Sequence, residues 1–222
     1  MVLLQKQYFI EEKSTMKKLL ITAIMVLVPF VSQGKEIAEK ADDVRPLLNG
    51  QTAPNIQVMT SEGKQVALKS LLAEKKTIMF FYRGGWCPFC NTQMGQLKAI
   101  EPRLNELGYQ LIGVSTDSVK MLNKSIKSKS LQYELLSDFN SELSQAFGLA
   151  FFASEKVSKR YVSGMDLQNP LQKNKAGEDR LVLPVPAIYL FDKKGLVKFS
   201  YVNPNFKVRL APELLLAAAR VN

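Results

Sequence analysis

The sequence predicts an α/β protein with a mixed β-sheet flanked by helices. Three observations predict it. Ile78-Met79-Phe80-Phe81-Tyr82 is an apolar run of strand length, the pattern of a strand buried on both faces. Leu97, Ile100, Leu104 and Leu107 then recur at helical spacing and end at Gly108, a natural helix stop. Late in the chain, Ala187–Phe191 and Leu196–Val202 flank Asp192-Lys193-Lys194-Gly195, a hairpin signature. Alternating elements give the parallel part of the sheet, and the hairpin gives an antiparallel edge.

The N-terminus reads as an address. Met16 to Gly34 combines a basic start at Lys17 and Lys18, a 13-residue apolar run over Leu19–Val31, and small residues in Ser32-Gln33-Gly34. Thirteen residues fall short of the roughly 18 a membrane span needs, so no stable membrane span is expected. Residues 1–34 are therefore read as a secretory signal, with Met16 as the true start and export as the expectation. The compartment is the periplasm if the source is a Gram-negative bacterium. An N-terminal helical segment is expected over 35–50, ending at Asn49-Gly50.

The domain proper is expected over 51–222. Ile56–Met59 and Gln65–Leu68 are short strands around the turn Ser61-Glu62-Gly63-Lys64. After the helix closed by Gly108 come a strand over Gln110–Ser115, a polar helix from Ser118 to Lys129, a strand at Tyr133–Leu136 and a helix at Asn140–Phe147. Pro102 inside the first long helix is expected to kink it. The stretch from about 150 to 181 is polar, basic and irregular, and reads as an insertion with one helix near Glu155–Val162. Ala211–Val221 closes the chain as a helix with Pro212 at its start.

Composition narrows the chemistry. The 222 residues include no histidine and only two cysteines, Cys87 and Cys90. No Ser-His-Asp or Cys-His nucleophile pair and no imidazole base can be built. A structural zinc site needs four ligands, and no metal or other cofactor is expected. The net charge is +10, and removing residues 1–34 takes away four Lys and two Glu, leaving +8. Such a charge solubilises or attracts anions. Without aromatic interleaving or a recognition motif it does not indicate nucleic acid.

The two cysteines carry the chemistry. They lie in Arg83-Gly84-Gly85-Trp86-Cys87-Pro88-Phe89-Cys90, directly after the apolar strand. Two glycines permit a sharp turn, and Pro88 suits the first turn of a helix. Cysteines at i and i+3 there share a face and fall within disulfide reach. Unpaired N–H groups and the helix dipole stabilise a thiolate at the first cysteine. Cys87 is expected as the exposed, low-pKa nucleophile and Cys90 as the more buried partner, with Arg83 adding positive potential. A bridge closing so short a loop removes little unfolded-state entropy, so it is a poor structural staple. Redox use is favoured over a static bridge or a metal site.

Trp-Cys-Pro-Phe-Cys after an apolar strand resembles the thioredoxin fold's functional motif. The larger frame resembles the alkyl hydroperoxide reductase / thiol-specific antioxidant (peroxiredoxin-like) family. The residues that carry it are Ala53-Pro54-Asn55, Phe81 to Cys90, Gly113-Val114-Ser115-Thr116-Asp117, Leu183-Pro184-Val185-Pro186-Ala187 and Phe191-Asp192. The implied fold is thioredoxin-like, with an N-terminal extension and an insertion before the final hairpin. The two resemblances assign the sulfurs differently. The thioredoxin motif makes Cys87 the attacker and Cys90 the resolver. The peroxiredoxin motif aligns Cys90 with the peroxidatic cysteine and puts Cys87 where a threonine is usual. The resemblance further implies a cis Val185–Pro186 bond against the sulfurs, and backbone pairing of Val185 with a peptide. Near Pro186 the family usually carries an arginine that polarises peroxide, and none stands there. The buried acid usual in thioredoxins is replaced by Phe81.

The expected function is thus an exported thiol–disulfide oxidoreductase with antioxidant-type activity, using Cys87 and Cys90, with Trp86, Phe89, Val185 and Pro186 as an apolar rim. A thiol peroxidase with Cys90 peroxidatic and Cys87 resolving is the alternative, and a non-catalytic binding module of the same fold is the third. Protein or small-molecule disulfides, or hydroperoxides, are the expected partners, together with a thiol electron donor.

Overall fold

The computed structural model describes residues 35–165 and 167–222. The expectations placed on residues 1–34 lie outside them. The strands are β1 (Gln57–Thr60), β2 (Gln65–Ala67), β3 (Lys76–Tyr82), β4 (Tyr109–Ser115), β5 (Glu134–Ser137), β6 (Ala150–Phe152), β7 (Gln172–Lys173), β8 (Asp179–Arg180), β9 (Val182–Pro184), β10 (Ala187–Phe191) and β11 (Val197–Val202). The helices are α1 (Leu68–Glu74), α2 (Pro88–Glu106), α3 (Val119–Lys129), α4 (Glu142–Ala146), α5 (Glu155–Gly164) and α6 (Pro212–Val221).

Seven strands form one mixed sheet in the order β11-β10-β3-β4-β5-β1-β2. The β3–β4 and β4–β5 pairs are parallel, and β10 and β11 add antiparallel strands at one edge. Strand β3 is central and buried along nearly its whole length, as its unbroken apolar run requires. Its side chains alternate between two cores. Met79 and Phe81 face one that contains Phe147, Tyr189 and Phe191. Ile78, Phe80 and Tyr82 face another that contains Met94, Leu97 and Leu104 of α2 and Leu215 of α6. Phe147 is the hub of the first, with its ring 4.8 Å from Phe81 and 5.3 Å from Tyr189. Helix α2 runs continuously through Pro102.

Two expectations need correction. The 35–50 segment is not a helix; it contains only a single 3₁₀ turn at Ala41–Asp43. Its backbone is used elsewhere: Ala38 N–H donates to Ala150 O (3.0 Å), Phe152 N–H to Ala38 O (2.9 Å) and Leu47 N–H to Phe147 O (3.2 Å). Tertiary hydrogen bonds thus replace intrahelical ones. The 150–181 stretch is also more regular than its composition suggests. Strand β6 pairs with β9, α5 follows, and β7 and β8 form a small hairpin. Ser158 Oγ accepts from Leu181 N–H at 3.0 Å, which ties α5 to the chain just before β9.

Candidate active site

Strand β3 delivers the chain to the site. Beyond Tyr82 the loop Arg83–Trp86 turns into α2, with Cys87 as its N-cap and Pro88 at the first helical position. Cys87 therefore precedes the first turn rather than sitting within it. Cys90 lies one turn in. The loop is clamped by the end of β4. Thr116 Oγ1 donates to Arg83 O (2.9 Å), and Gly85 N–H donates to a carboxylate oxygen of Asp117 (2.7 Å). Asn91 Nδ2 donates to Gly85 O (3.0 Å), and Cys87 N–H to Gly84 O (3.1 Å). Glycine is required at two successive positions by close approach. A Cβ on Gly84 would lie 2.2 Å from Trp86 Nε1 and 2.7 Å from Asp117, and one on Gly85 2.2 Å from Ser125 Oγ.

Both cysteines are free thiols and both are buried, Cys87 included. The expectation of an exposed Cys87 is thus corrected: its side chain sits in the α2-facing core, against which Trp86 packs. The two thiols are in hydrogen-bond contact. The Cys90 thiol donates to Cys87 and holds the Cys87 pKa down to about 6, against the opposing cost of burial. The Cys90 backbone N–H and the charges of Arg209 and Arg83 add to the depression. Cys90 moves the other way: its hydrogen bond to Cys87, burial and the Cys87 charge push its pKa up. The environment separates the two sulfurs into one ready thiolate and one retained thiol.

Two arginines complete the electrostatics. Arg83 was expected near the pair, and the structure places it there. Its guanidinium is buried and stacked 3.9 Å from the Phe206 ring centroid, with Phe151 5.8 Å away. Burial lowers its pKa, while Tyr161 and the two sulfurs favour the charged form. Arg209, in the loop between β11 and α6, was not foreseen. Its Nη2 donates to Cys90 Sγ at 3.6 Å, and its Nη1 to Val208 O at 3.1 Å. A guanidinium thus reaches the Cys90 sulfur from a loop distant from Pro186. No pattern in the sequence marks it. Asp117, Tyr161 and Phe206 were also missed as site residues, although Asp117 lies in the quoted motif Gly113–Asp117.

Trp86 is half-buried, with its ring 4.7 Å from that of Tyr161. Pro88 and Phe89 are exposed, and Phe89 meets Phe206 edge-on at 5.6 Å. Val185 and Pro186 are buried and do not form a rim. The expected cis bond between them is absent, since no described peptide bond is cis. In this trans arrangement Val185 N–H donates to Leu149 O (3.0 Å) and Pro186 O accepts from Asn203 N–H (3.1 Å). The Val185 donor that a bound peptide would need is already used. Among the described residues no three metal-ligating side chains converge, and no helix is long and apolar enough to cross a membrane.

Residues 49–200 match the AhpC/TSA family, a span that includes both cysteines, Arg83 and Trp86. The chain belongs to the AhpC/TSA family. Relatives agree with this. The putative peroxiredoxin bcp of Haemophilus influenzae is 32% identical over 106 residues, 48% of this chain and 68% of its own length. The thiol-disulfide oxidoreductase ResA of Bacillus cereus is 25% identical over 161 residues, 72% of this chain and 73% of that protein. The structure of Xanthomonas campestris peroxiredoxin Q superposes with a TM-score of 0.56 at 23% identity, covering 81% of this chain and 98% of that one. This AhpC/TSA protein thus has the thioredoxin-like peroxiredoxin fold and is a thiol oxidoreductase.

Proposed function

We propose that this AhpC/TSA protein is an exported thiol–disulfide oxidoreductase that works through a Cys87/Cys90 dithiol–disulfide couple. One observation carries the reading: Cys87, at the helix N-cap, accepts a hydrogen bond from the Cys90 thiol and is held ionised near neutrality. The Cys87 thiolate attacks one sulfur of a substrate disulfide. The substrate S–S bond breaks, and the leaving thiolate takes a proton from solvent. Cys90 then loses its proton and attacks Cys87 Sγ in the mixed disulfide. The second substrate thiolate leaves, and the enzyme is left with a Cys87–Cys90 disulfide after giving up two electrons. A thiol electron donor returns them. Arg209 and the Arg83 backbone N–H favour the Cys90 thiolate at the moment it attacks. Single-turnover reduction of a model disulfide tests the assignment. Cys87→Ser is expected to abolish it and Cys90→Ser to accumulate the mixed disulfide at Cys87. Full activity in Cys87→Ser overturns it.

The contact between Arg209 and Cys90 favours a second reading, a thiol peroxidase. The Cys90 thiolate attacks a hydroperoxide oxygen, the O–O bond breaks, and the alkoxide takes a proton. Cys87 then attacks the Cys90 sulfenic acid, water leaves, and the same disulfide forms. Guanidinium and backbone N–H donors around Cys90 supply the stabilisation this step needs. Sulfenic acid trapped at Cys90 in Cys87→Ser supports this reading, and absence of peroxide consumption removes it. Export rests on the basic start and apolar run before Lys35, and N-terminal sequencing of the secreted protein tests it.

A further inference from the structure

We propose that the cleft between the 150–181 stretch and Arg83 binds the carboxylate of a substrate with an apolar or aromatic body, through Arg83. The proposal rests on the redox reading above and extends it to substrate class. The cleft has a volume of about 690 Å³, within the range of small-molecule sites. One wall comes from Phe151 of β6, Val157 and Tyr161 of α5; Arg83, Leu183 and Phe206 face it.

Arg83 is the feature that points to a ligand. It is only 7% exposed, and its Nε has no hydrogen-bond partner. A buried donor left without an acceptor is costly, so a ligand that supplies one binds with that cost relieved. The acids of the cleft are already engaged. Glu178 pairs with Arg180 (2.7 Å), Glu155 with Lys159 (2.6 Å), and Glu39 accepts from Lys175 N–H (3.1 Å). None of them is paired with Arg83. Phe206 covers one face of the guanidinium and Tyr161 engages its edge, while the Nε–H is left to meet a planar carboxylate. The apolar body of such a ligand lies against Phe151, Leu183 and Tyr161. Arg83 also interacts electrostatically with both sulfurs, so a carboxylate held on it is bound close to the redox pair.

Trp86 is the only tryptophan and packs on Tyr161, so its emission reports the cleft. The full chain is titrated with phenylpropionate and with phenylpropanol, which lacks the charge. Saturable binding of the acid about tenfold tighter than the alcohol is expected, with the preference lost in Arg83→Gln. Val157→Phe, which narrows the cleft without touching Arg83, is expected to weaken both probes and serves if Arg83→Gln does not fold. Equal binding of acid and alcohol, or an acid preference unchanged in Arg83→Gln, overturns the proposal.

Two kinetic arms separate the source of the carboxylate. In one, dithiobis(nitrobenzoate) is compared with uncharged dithiodipyridine. In the other, linoleic acid hydroperoxide is compared with cumene hydroperoxide. The ratio of kcat/KM within each arm cancels any change in thiolate reactivity. An Arg83-dependent preference of about tenfold in one arm identifies the substrate as disulfide or hydroperoxide. If the charged probe binds but neither arm turns over, the binding site stands and the redox assignment falls.

Discussion

Replacing Arg209 by Met removes a guanidinium whose Nη2 lies 3.6 Å from Cys90 Sγ and leaves the α2 N-terminus intact. Arg209 is half-buried, so the effective dielectric lies between that of a protein surface and water. At that separation the lost attraction is about 1–4 kcal/mol, which raises the Cys90 pKa by about one to three units. A higher pKa lowers the thiolate fraction but makes each thiolate more nucleophilic, with a Brønsted coefficient of about 0.4–0.5. The net effect is resolution of the mixed disulfide about 3- to 40-fold slower near neutral pH. The first attack, made by Cys87, changes less, because the Arg209 Nη2 hydrogen bond goes to Cys90 Sγ. Rapid quench in acid followed by intact-mass analysis resolves the two steps. Arg209→Met should accumulate the mixed disulfide, and Arg209→Lys should restore part of the resolving rate. Resolution at the parental rate in Arg209→Met refutes the reasoning.

Cys90→Ala removes the main donor to Cys87, so the Cys87 pKa should rise from about 6 by about one to two units, while Cys90→Ser keeps a donor and rises less; pH-dependent alkylation rates check both. Burial raises the Asp138 pKa from 3.8 to about 6, although Leu143 N–H and the Ser144 N–H and O–H donate to it. Its carboxyl is easier to protonate folded than unfolded, so the contribution to stability is fully present below about pH 4 and is lost as pH rises through 6, a change of about 3 kcal/mol. Denaturant unfolding of the parent minus Asp138→Asn should show that fall between acid and neutral pH, and a flat difference contradicts it. Phe147→Ala empties the centre of the Phe81–Tyr189–Phe191 cluster and should cost about 3–5 kcal/mol, seen as a lower denaturation midpoint with unchanged slope.

Much of the sheet was legible because its strands are apolar runs: β3, β4, β10 and β11 fall where Ile78–Tyr82, Gln110–Ser115 and the late hairpin place them. The short helix α1 was not, because Leu68 reads equally well as the end of a strand and the element spans barely two turns. Residues 35–50 look helical by composition, yet their N–H and C=O groups pair with β6 and its neighbours, and tertiary context overrides propensity. The cysteine pair and Arg83 were legible from spacing alone. Arg209 was not, since its guanidinium reaches Cys90 from 119 residues away through a loop with no periodicity. Val185 and Pro186 were misplaced because a motif names residues but not which of their hydrogen bonds are already made.

The most direct test is to alkylate the reduced protein with iodoacetamide across pH and identify the labelled residue by peptide mapping. Cys87 should react first, with a midpoint near pH 6, while Cys90 stays unlabelled through neutrality. Labelling of Cys90 ahead of Cys87, or a Cys87 midpoint at the ordinary thiol value, contradicts the account.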